Sequence, residues 1–202
     1  VFTHALEACV STNRNDFSTA LAEKAIEICG VFLLRAYLDG NDTHARQKMH
    51  SASCLAGLAF SNAGLGLNHG MAHTLGAHFH IPHGRANGIL LPYVMAFNAG
   101  CHDKLTPVAK RYARIARVLR LEGPSIRQSA FSVIRTTRQY INKLHIPDTL
   151  ESAGVSREDF EGALEEMAQA AYADACTRTN PRECSVEEIK EVFRHAYTGR
   201  LI

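Results

Sequence analysis

Apolar side chains recur along most of the chain at the three- and four-residue spacing of an α-helix. In the stretch 17–39 the recurring positions are Leu21, Ala25, Ile28, Phe32 and Leu33. Asp16 stands where an N-cap belongs, and Gly40 follows the stretch as a stop signal. The pattern therefore predicts one long amphipathic helix between these two residues.

The same spacing predicts further helices over 2–12, 43–63, 82–97, 103–120, 125–144, 157–175 and 186–197. Capping residues precede four of them, namely Asp42, Ser125, Ser156 and Ser185. Small side chains are frequent over 43–63 and let helices approach closely, so we expect that helix to be central and buried. The sequence shows no alternating strand pattern of useful length and no repeat. No low-complexity linker divides it into domains. The predicted fold class is therefore all-α, a single multi-helix bundle over residues 1–202.

Composition and charge argue against several classes of function. The 202 residues include 22 lysines and arginines against 20 acidic residues. This balance gives no reason to expect nucleic acid or an anionic membrane as a partner. No apolar run approaches the ~20 residues of a membrane span. The six cysteines form no CxxC pair, which is typical of free thiols in a reducing compartment, so we expect a cytoplasmic protein.

Histidine is unusually frequent, with eleven in the chain. His69 and His73 lie one helical turn apart on the same face, and His83 follows after a break marked by proline. Neutral imidazoles can bind zinc, iron, copper or nickel. The alternative is that these histidines cap helix ends or hydrogen-bond in a polar seam. Gly70 excludes the metalloprotease motif, which requires glutamate directly after the first histidine.

The residues around these histidines resemble a known family. The stretch 64–97, GLGLNHGMAHTLGAHFHIPHGRANGILLPYVMAF, is similar to the signature of the iron-containing alcohol dehydrogenases. Shorter similar segments lie at 3–7, 56–62 and 176–182, in the order that this family shows. The resemblance spans nearly the whole chain. It implies the C-terminal helical domain of a dehydroquinate-synthase-like fold.

The resemblance also implies a set of site residues. One aspartate and three histidines would hold the metal, and the histidines correspond here to His4, His69 and His83. The ion would be Fe²⁺, with Zn²⁺ as the alternative. His73 corresponds to a histidine beside the metal that is a candidate for relaying a proton. Phe60 and Cys176 correspond to positions that line the pocket for substrate and nicotinamide.

The family pattern extends upstream of this chain. The ligand aspartate is expected four residues before His4, just before Val1, and a nucleotide-binding domain is expected before that. We therefore interpret the sequence as a fragment, which we expect to be inactive alone. The parent would bind NAD or NADP mainly through the other domain. It would interconvert small primary alcohols and aldehydes as a homo-oligomer.

Two other interpretations stay open. One is a zinc-dependent relative similar to glycerol dehydrogenase, and the other is a non-catalytic helical remnant or interaction domain. The remaining histidines are interpreted as ordinary surface or helix-end residues: His44, His50, His78, His80, His102, His145 and His195.

Overall fold

The computed structural model describes residues 1–101 and 104–201, and over these ranges the chain forms nine α-helices and no strand. The helices are α1 (Phe2–Val10), α2 (Asp16–Leu38), α3 (Thr43–Ala63), α4 (Leu67–Phe79), α5 (His83–Ala99), α6 (Val108–Val118), α7 (Ile126–Lys143), α8 (Arg157–Ala173) and α9 (Val186–Thr198). A short 3-10 helix, Thr177–Thr179, joins α8 to α9. The prediction of an all-α bundle is confirmed. None of the helices described is long and apolar enough to cross a bilayer.

Side-chain caps fix where several helices begin. The predicted caps are present, and each accepts a hydrogen bond from the backbone N–H three residues later: Asp42, Ser125, Ser156 and Ser185. The predicted cap of α2 is wrong by one residue. Asn15 and Ser18 form a reciprocal capping box there. Asp16 instead occupies the first turn, where its carboxylate complements the helix dipole.

Helix α6 is shorter than the pattern over 103–120 predicts. It begins at Val108, whose backbone N–H donates to the hydroxyl of Thr106 at 3.2 Å. Pro107 precedes this first turn and lacks an N–H of its own. Residue 103, where the predicted helix starts, and His102 lie outside the described residues.

The central helix is α5, so the expectation that the helix over 43–63 is central was wrong. Helix α5 is buried at every position from Ile89 to Ala99. Helix α3 packs along α1 and α2 and buries only alanines: Ala45, Ala52, Ala56, Ala59 and Ala63. Its Leu58 is 51% exposed. Small side chains therefore permit close packing on one face of α3 without enclosing the whole helix.

The position of α4 depends on a glycine. Helix α4 packs against α5 and α8, and the 3-10 helix lies beside it. A Cβ atom at Gly70 would collide with Oγ1 of Thr177 and would lie 3.1 Å from the carbonyl oxygen of Ala171. That hydroxyl is itself held by its hydrogen bond to the Ala171 carbonyl at 2.6 Å. Helix α4 therefore packs against the end of α8 with no room for a side chain at position 70. This half of α4 carries His69 and His73.

We expect Gly70→Ala to lower the free energy of unfolding by about 1–3 kcal/mol, because the added methyl group must displace backbone as well as a held hydroxyl. Gly162→Ala is the matched control in α8, since a Cβ there meets nothing within 4 Å. The control should raise the free energy of unfolding by about 0.5–1 kcal/mol. Equilibrium denaturation measures both. Equal effects of the two substitutions would show that α4 is not packed as described.

Candidate metal centre

Three histidines from three helices meet at one place. His4 lies in α1, His69 in α4, and His83 is the first residue of α5. One imidazole nitrogen of each lies within 4.8 Å of those of the other two. The ring centroids of His4 and His69 are 4.5 Å apart, and those of His69 and His83 are 5.3 Å apart. The fold thus brings together the three histidines that the family resemblance implies as ligands.

The innermost of the three is His69. Only 1% of the residue is exposed, and its Nε2 has no hydrogen-bond partner among the described residues. Buried polar atoms in folded proteins are almost always paired, because an unpaired one loses its water without replacement. This nitrogen, with two further imidazoles beside it, fits a site whose remaining partner is a metal ion.

The protonation states of His4 and His83 also suit metal binding. Burial lowers the pKa of His4 to about 3, and the neighbouring His69 and His83 add to the effect. Burial also lowers the pKa of His83, followed by the influence of His69 and His73. Both imidazoles are therefore neutral near pH 7. Each offers a nitrogen lone pair, which is the form of histidine that binds metals.

Polar side chains support the histidines from outside. The carboxylate of Glu7, a residue only 6% exposed, lies against Nδ1 of His69. The amide of Asn87 lies 3.2 Å from Nε2 of His83 and donates to the His83 carbonyl at 3.0 Å. Asn68 donates to the side-chain oxygen of Asn87 at 2.8 Å. These contacts restrict how two of the three imidazoles can turn.

Sequence reasoning did not identify Glu7. A signal was present, because Glu7 follows His4 by three residues and so lies on the same face of α1. A carboxylate on the buried face of an apolar helix requires a partner. That requirement points to the histidine cluster.

His73 belongs to a second group beside the three histidines. Its Nδ1 lies 2.8 Å from Oδ2 of Asp174, and its ring stacks on that of His83 with centroids 5.6 Å apart. Unlike His69, its side chain is 44% exposed. One potential ligand atom each of His73, Asp174 and Cys176 lie within 4.8 Å of one another. Asp174 was not singled out from the sequence, where its one signal is its place two residues before Cys176.

Hydrogen bonds keep Asp174 of this second group charged, and burial keeps Cys176 neutral. Burial acts to raise the pKa of Asp174, but hydrogen bonds from His73 and from the backbone N–H of Cys176 outweigh it and lower the pKa. Burial, and then the Asp174 carboxylate, raise the pKa of Cys176 to about 12. The thiol is therefore protonated at neutral pH. In that state it is a poor nucleophile and a poor metal ligand, and it suits the wall of a pocket.

The two residues expected to line the pocket both lie next to the histidines. Phe60 of α3 is partly buried, and its ring centroid is 4.8 Å from that of His4. Cys176 lies beside His73. The remaining described histidines belong to neither group of potential ligands: His44, His50, His78, His80, His145 and His195. His80 is the C-cap of α4, with a positive φ of 53°.

Comparison with known sequences finds a matching family model and similar dehydrogenases. The family model described as the Fe-containing alcohol dehydrogenase family, C-terminal, matches residues 1–197. The NADPH-dependent butanol dehydrogenase of Clostridium saccharobutylicum is 42% identical over 197 residues, which cover 98% of this chain and 49% of the relative. The 1-propanol dehydrogenase PduQ of Salmonella typhimurium is 45% identical over 197 residues, covering 96% of this chain and 52% of the relative.

Comparison with solved structures gives the same result. The crystal structure of a 1,3-propanediol oxidoreductase matches with a TM-score of 0.88 at 35% sequence identity. The match covers 97% of this chain and 49% of that one. The chain thus spans about half the length of these three relatives.

We expect Asp174→Asn to lower the pKa of Cys176, because the change removes the negative charge that disfavours the thiolate. Iodoacetamide reacts with the thiolate, so alkylation of Cys176 at pH 8 should accelerate about threefold for each unit by which the pKa falls, because the larger thiolate fraction is partly offset by weaker nucleophilicity. Mass spectrometry of the peptide that contains Cys176 measures the rate. The exposed Cys54 is the internal reference. An unchanged ratio of the two rates would show that Asp174 does not influence the thiol.

Proposed function

Because the chain belongs to the Fe-containing alcohol dehydrogenase family over residues 1–197, we propose that it is the metal- and substrate-binding domain of an NAD(P)-dependent dehydrogenase. The complete protein interconverts small primary alcohols and aldehydes in this proposal. The observation that carries it is the convergence of His4, His69 and His83. Among them, the buried Nε2 of His69 has no hydrogen-bond partner in the described part of the chain. The butanol, 1-propanol and 1,3-propanediol in the names of similar proteins support a small substrate.

His4, His69 and His83 are the residues that would hold the metal, which we take to be Fe²⁺, with Zn²⁺ as the alternative. Imidazole nitrogen suits both ions. The bound ion would supply Lewis acidity towards the oxygen of an alcohol or aldehyde. The family resemblance adds an aspartate four residues before His4 as a fourth ligand. That position precedes Val1, and its role stays a prediction.

We assign proton transfer to His73. The Asp174 carboxylate accepts from Nδ1 of His73, which holds the proton on that nitrogen and leaves Nε2 as the acceptor. The His73 ring stacks against His83, so it lies at the edge of the three-histidine cluster. Its exposure lets a proton taken from the substrate side pass on to solvent.

Two side chains shape the proposed substrate pocket. The ring of Phe60 beside His4 presents an apolar surface, which suits the short hydrocarbon part of a small alcohol. The protonated thiol of Cys176 beside His73 adds a second weakly polar wall. Neither group carries a charge near neutral pH. They would therefore exclude water without competing with the substrate oxygen for the metal.

The remaining features of the complete protein are also proposals. We propose that NAD or NADP accepts the hydride and is bound mainly by a domain outside the matched half; the NADPH dependence named for the butanol dehydrogenase supports such a cofactor. All six cysteines are free thiols, which supports a reducing compartment such as the cytoplasm. A homo-oligomeric assembly remains part of the proposal.

Metal content per chain tests the proposal. After anaerobic purification with ferrous iron, we expect elemental analysis to find about one ion per chain, as for a single imidazole site. His69→Ala and His83→Ala should each lose most of it, because each removes one of the three converging nitrogens. Iron that persists in both variants would contradict the proposed ligands.

Two histidine variants serve as controls. His78→Ala removes a histidine of the same helix that lies in neither ligand group, and it should keep its iron. His73→Ala should also keep iron. In the complete enzyme, however, it should lower turnover by roughly 10²–10⁴-fold, the range typical of a lost general acid or base. Loss of iron in His73→Ala would place this residue among the ligands.

A further inference from the structure

Among the residues that the structure describes, Glu7 is the one buried carboxylate, and it lies beside the proposed metal ligands. It lies in α1, one turn after His4, and is 6% exposed. An isolated buried carboxylate is strongly unfavourable, because it loses its hydration. The surroundings of this one must therefore supply specific partners.

The two carboxylate oxygens of Glu7 have separate partners. Oε2 lies against Nδ1 of His69. Oε1 accepts the backbone N–H of Asn68 at 3.0 Å and, at 3.4 Å, that of His69. These N–H groups belong to the first turn of α4, where helical N–H groups lack partners within the helix.

The backbone before α4 is shaped to admit this carboxylate. A Cβ atom at Gly66, the N-cap of α4, would lie 2.9 Å from Oε1 of Glu7 and 3.0 Å from Oδ1 of Asn180. A larger residue would push the carboxylate away from the helix. The contact therefore depends on the carboxylate of Glu7 in α1 and on the absence of a side chain at Gly66 before α4.

This contact determines where His69 carries its proton. An ionised carboxylate only accepts hydrogen bonds, so Nδ1 of His69 must donate to it. In the neutral ring the lone pair then belongs to Nε2, the buried atom that has no partner among the described residues. A metal-ligating histidine commonly donates its other N–H to a carboxylate in this way.

We propose that Glu7 is a positioning residue for the metal site, a role that rests on the proposed function. It fixes both the orientation of His69 and the tautomer in which Nε2 can bind a divalent cation. Through the backbone N–H groups that it accepts, the same carboxylate holds the first turn of α4 against α1, which also carries His4.

Replacement by glutamine separates this role from mere filling of space. An amide has one accepting oxygen, whereas Glu7 must accept on two sides. If the amide oxygen faces the N–H of Asn68, its NH₂ group faces Nδ1 of His69 and favours the tautomer with hydrogen on Nε2. If the amide is turned round, its NH₂ group opposes the backbone N–H. Either arrangement weakens the metal site.

The experiment titrates the chain with Co²⁺ and follows the visible absorption of the bound ion, in parallel for wild type, Glu7→Gln and Glu161→Gln. We expect Glu7→Gln to bind Co²⁺ about 10–100-fold more weakly, the range found for lost outer partners of metal ligands. Glu161→Gln makes the same chemical change at an exposed position of α8 and should bind like wild type. Equal affinity in Glu7→Gln would overturn the proposal.

A second readout needs no metal. Long-range ¹H–¹⁵N spectra of the histidine rings at pH 8 report which ring nitrogen of His69 carries hydrogen. We expect hydrogen on Nδ1 in the wild type. In Glu7→Gln we expect it on Nε2 when the amide oxygen keeps accepting the N–H of Asn68, and on Nδ1 when the amide is turned round. Hydrogen on Nε2 in the wild type would overturn the proposal even if the variant did not fold.

The two readouts also distinguish this inference from the proposed function. A wild-type chain that bound no Co²⁺ would overturn the metal site, and with it the purpose given to Glu7. If the wild type carried hydrogen on Nδ1 of His69 and Glu7→Gln still bound Co²⁺ with full affinity, the metal site would stand. Only the positioning role of Glu7 would be overturned.

Discussion

The burial of the Glu7 carboxylate against the first turn of α4 is the contact on which the site depends. It joins α1 to α4, and because His4 lies one turn from Glu7, the same contact sets His4 beside His69. Gly66 leaves room for the carboxylate, and Gly70 separately lets α4 pack closely against the end of α8. The carboxylate, which would be costly if isolated, is stabilised by an imidazole and by helix N–H groups.

Burial divides the histidines into two roles. His69, 1% exposed, lies where water cannot compete for its free nitrogen. His73 is one helical turn further along α4, yet its side chain is 44% exposed and paired with Asp174. One position suits a permanent ligand and the other suits exchange of protons with solvent. The i, i+4 spacing thus places two chemically different histidines side by side, because only one of them reaches the core.

Much of the fold was predictable, because helix starts depend on local chemistry. The caps at Asp42 and Ser185 use partners three residues away, which a sequence displays directly. The small residues of α3 gave a wrong expectation, since their spacing shows that helices approach closely but not how many neighbours surround them. The histidines were found through a motif. Asp174 was missed because its partner, His73, lies 101 residues away and the pairing exists only in the folded chain.

Our proposal places a single metal ion between His4, His69 and His83. Anomalous diffraction at the iron absorption edge, from crystals of the iron-loaded chain, tests it most directly. We expect a single strong peak about 2 Å from one nitrogen of each of these three histidines. A peak between His73, Asp174 and Cys176 instead, or no peak in the iron-loaded crystal, would contradict it.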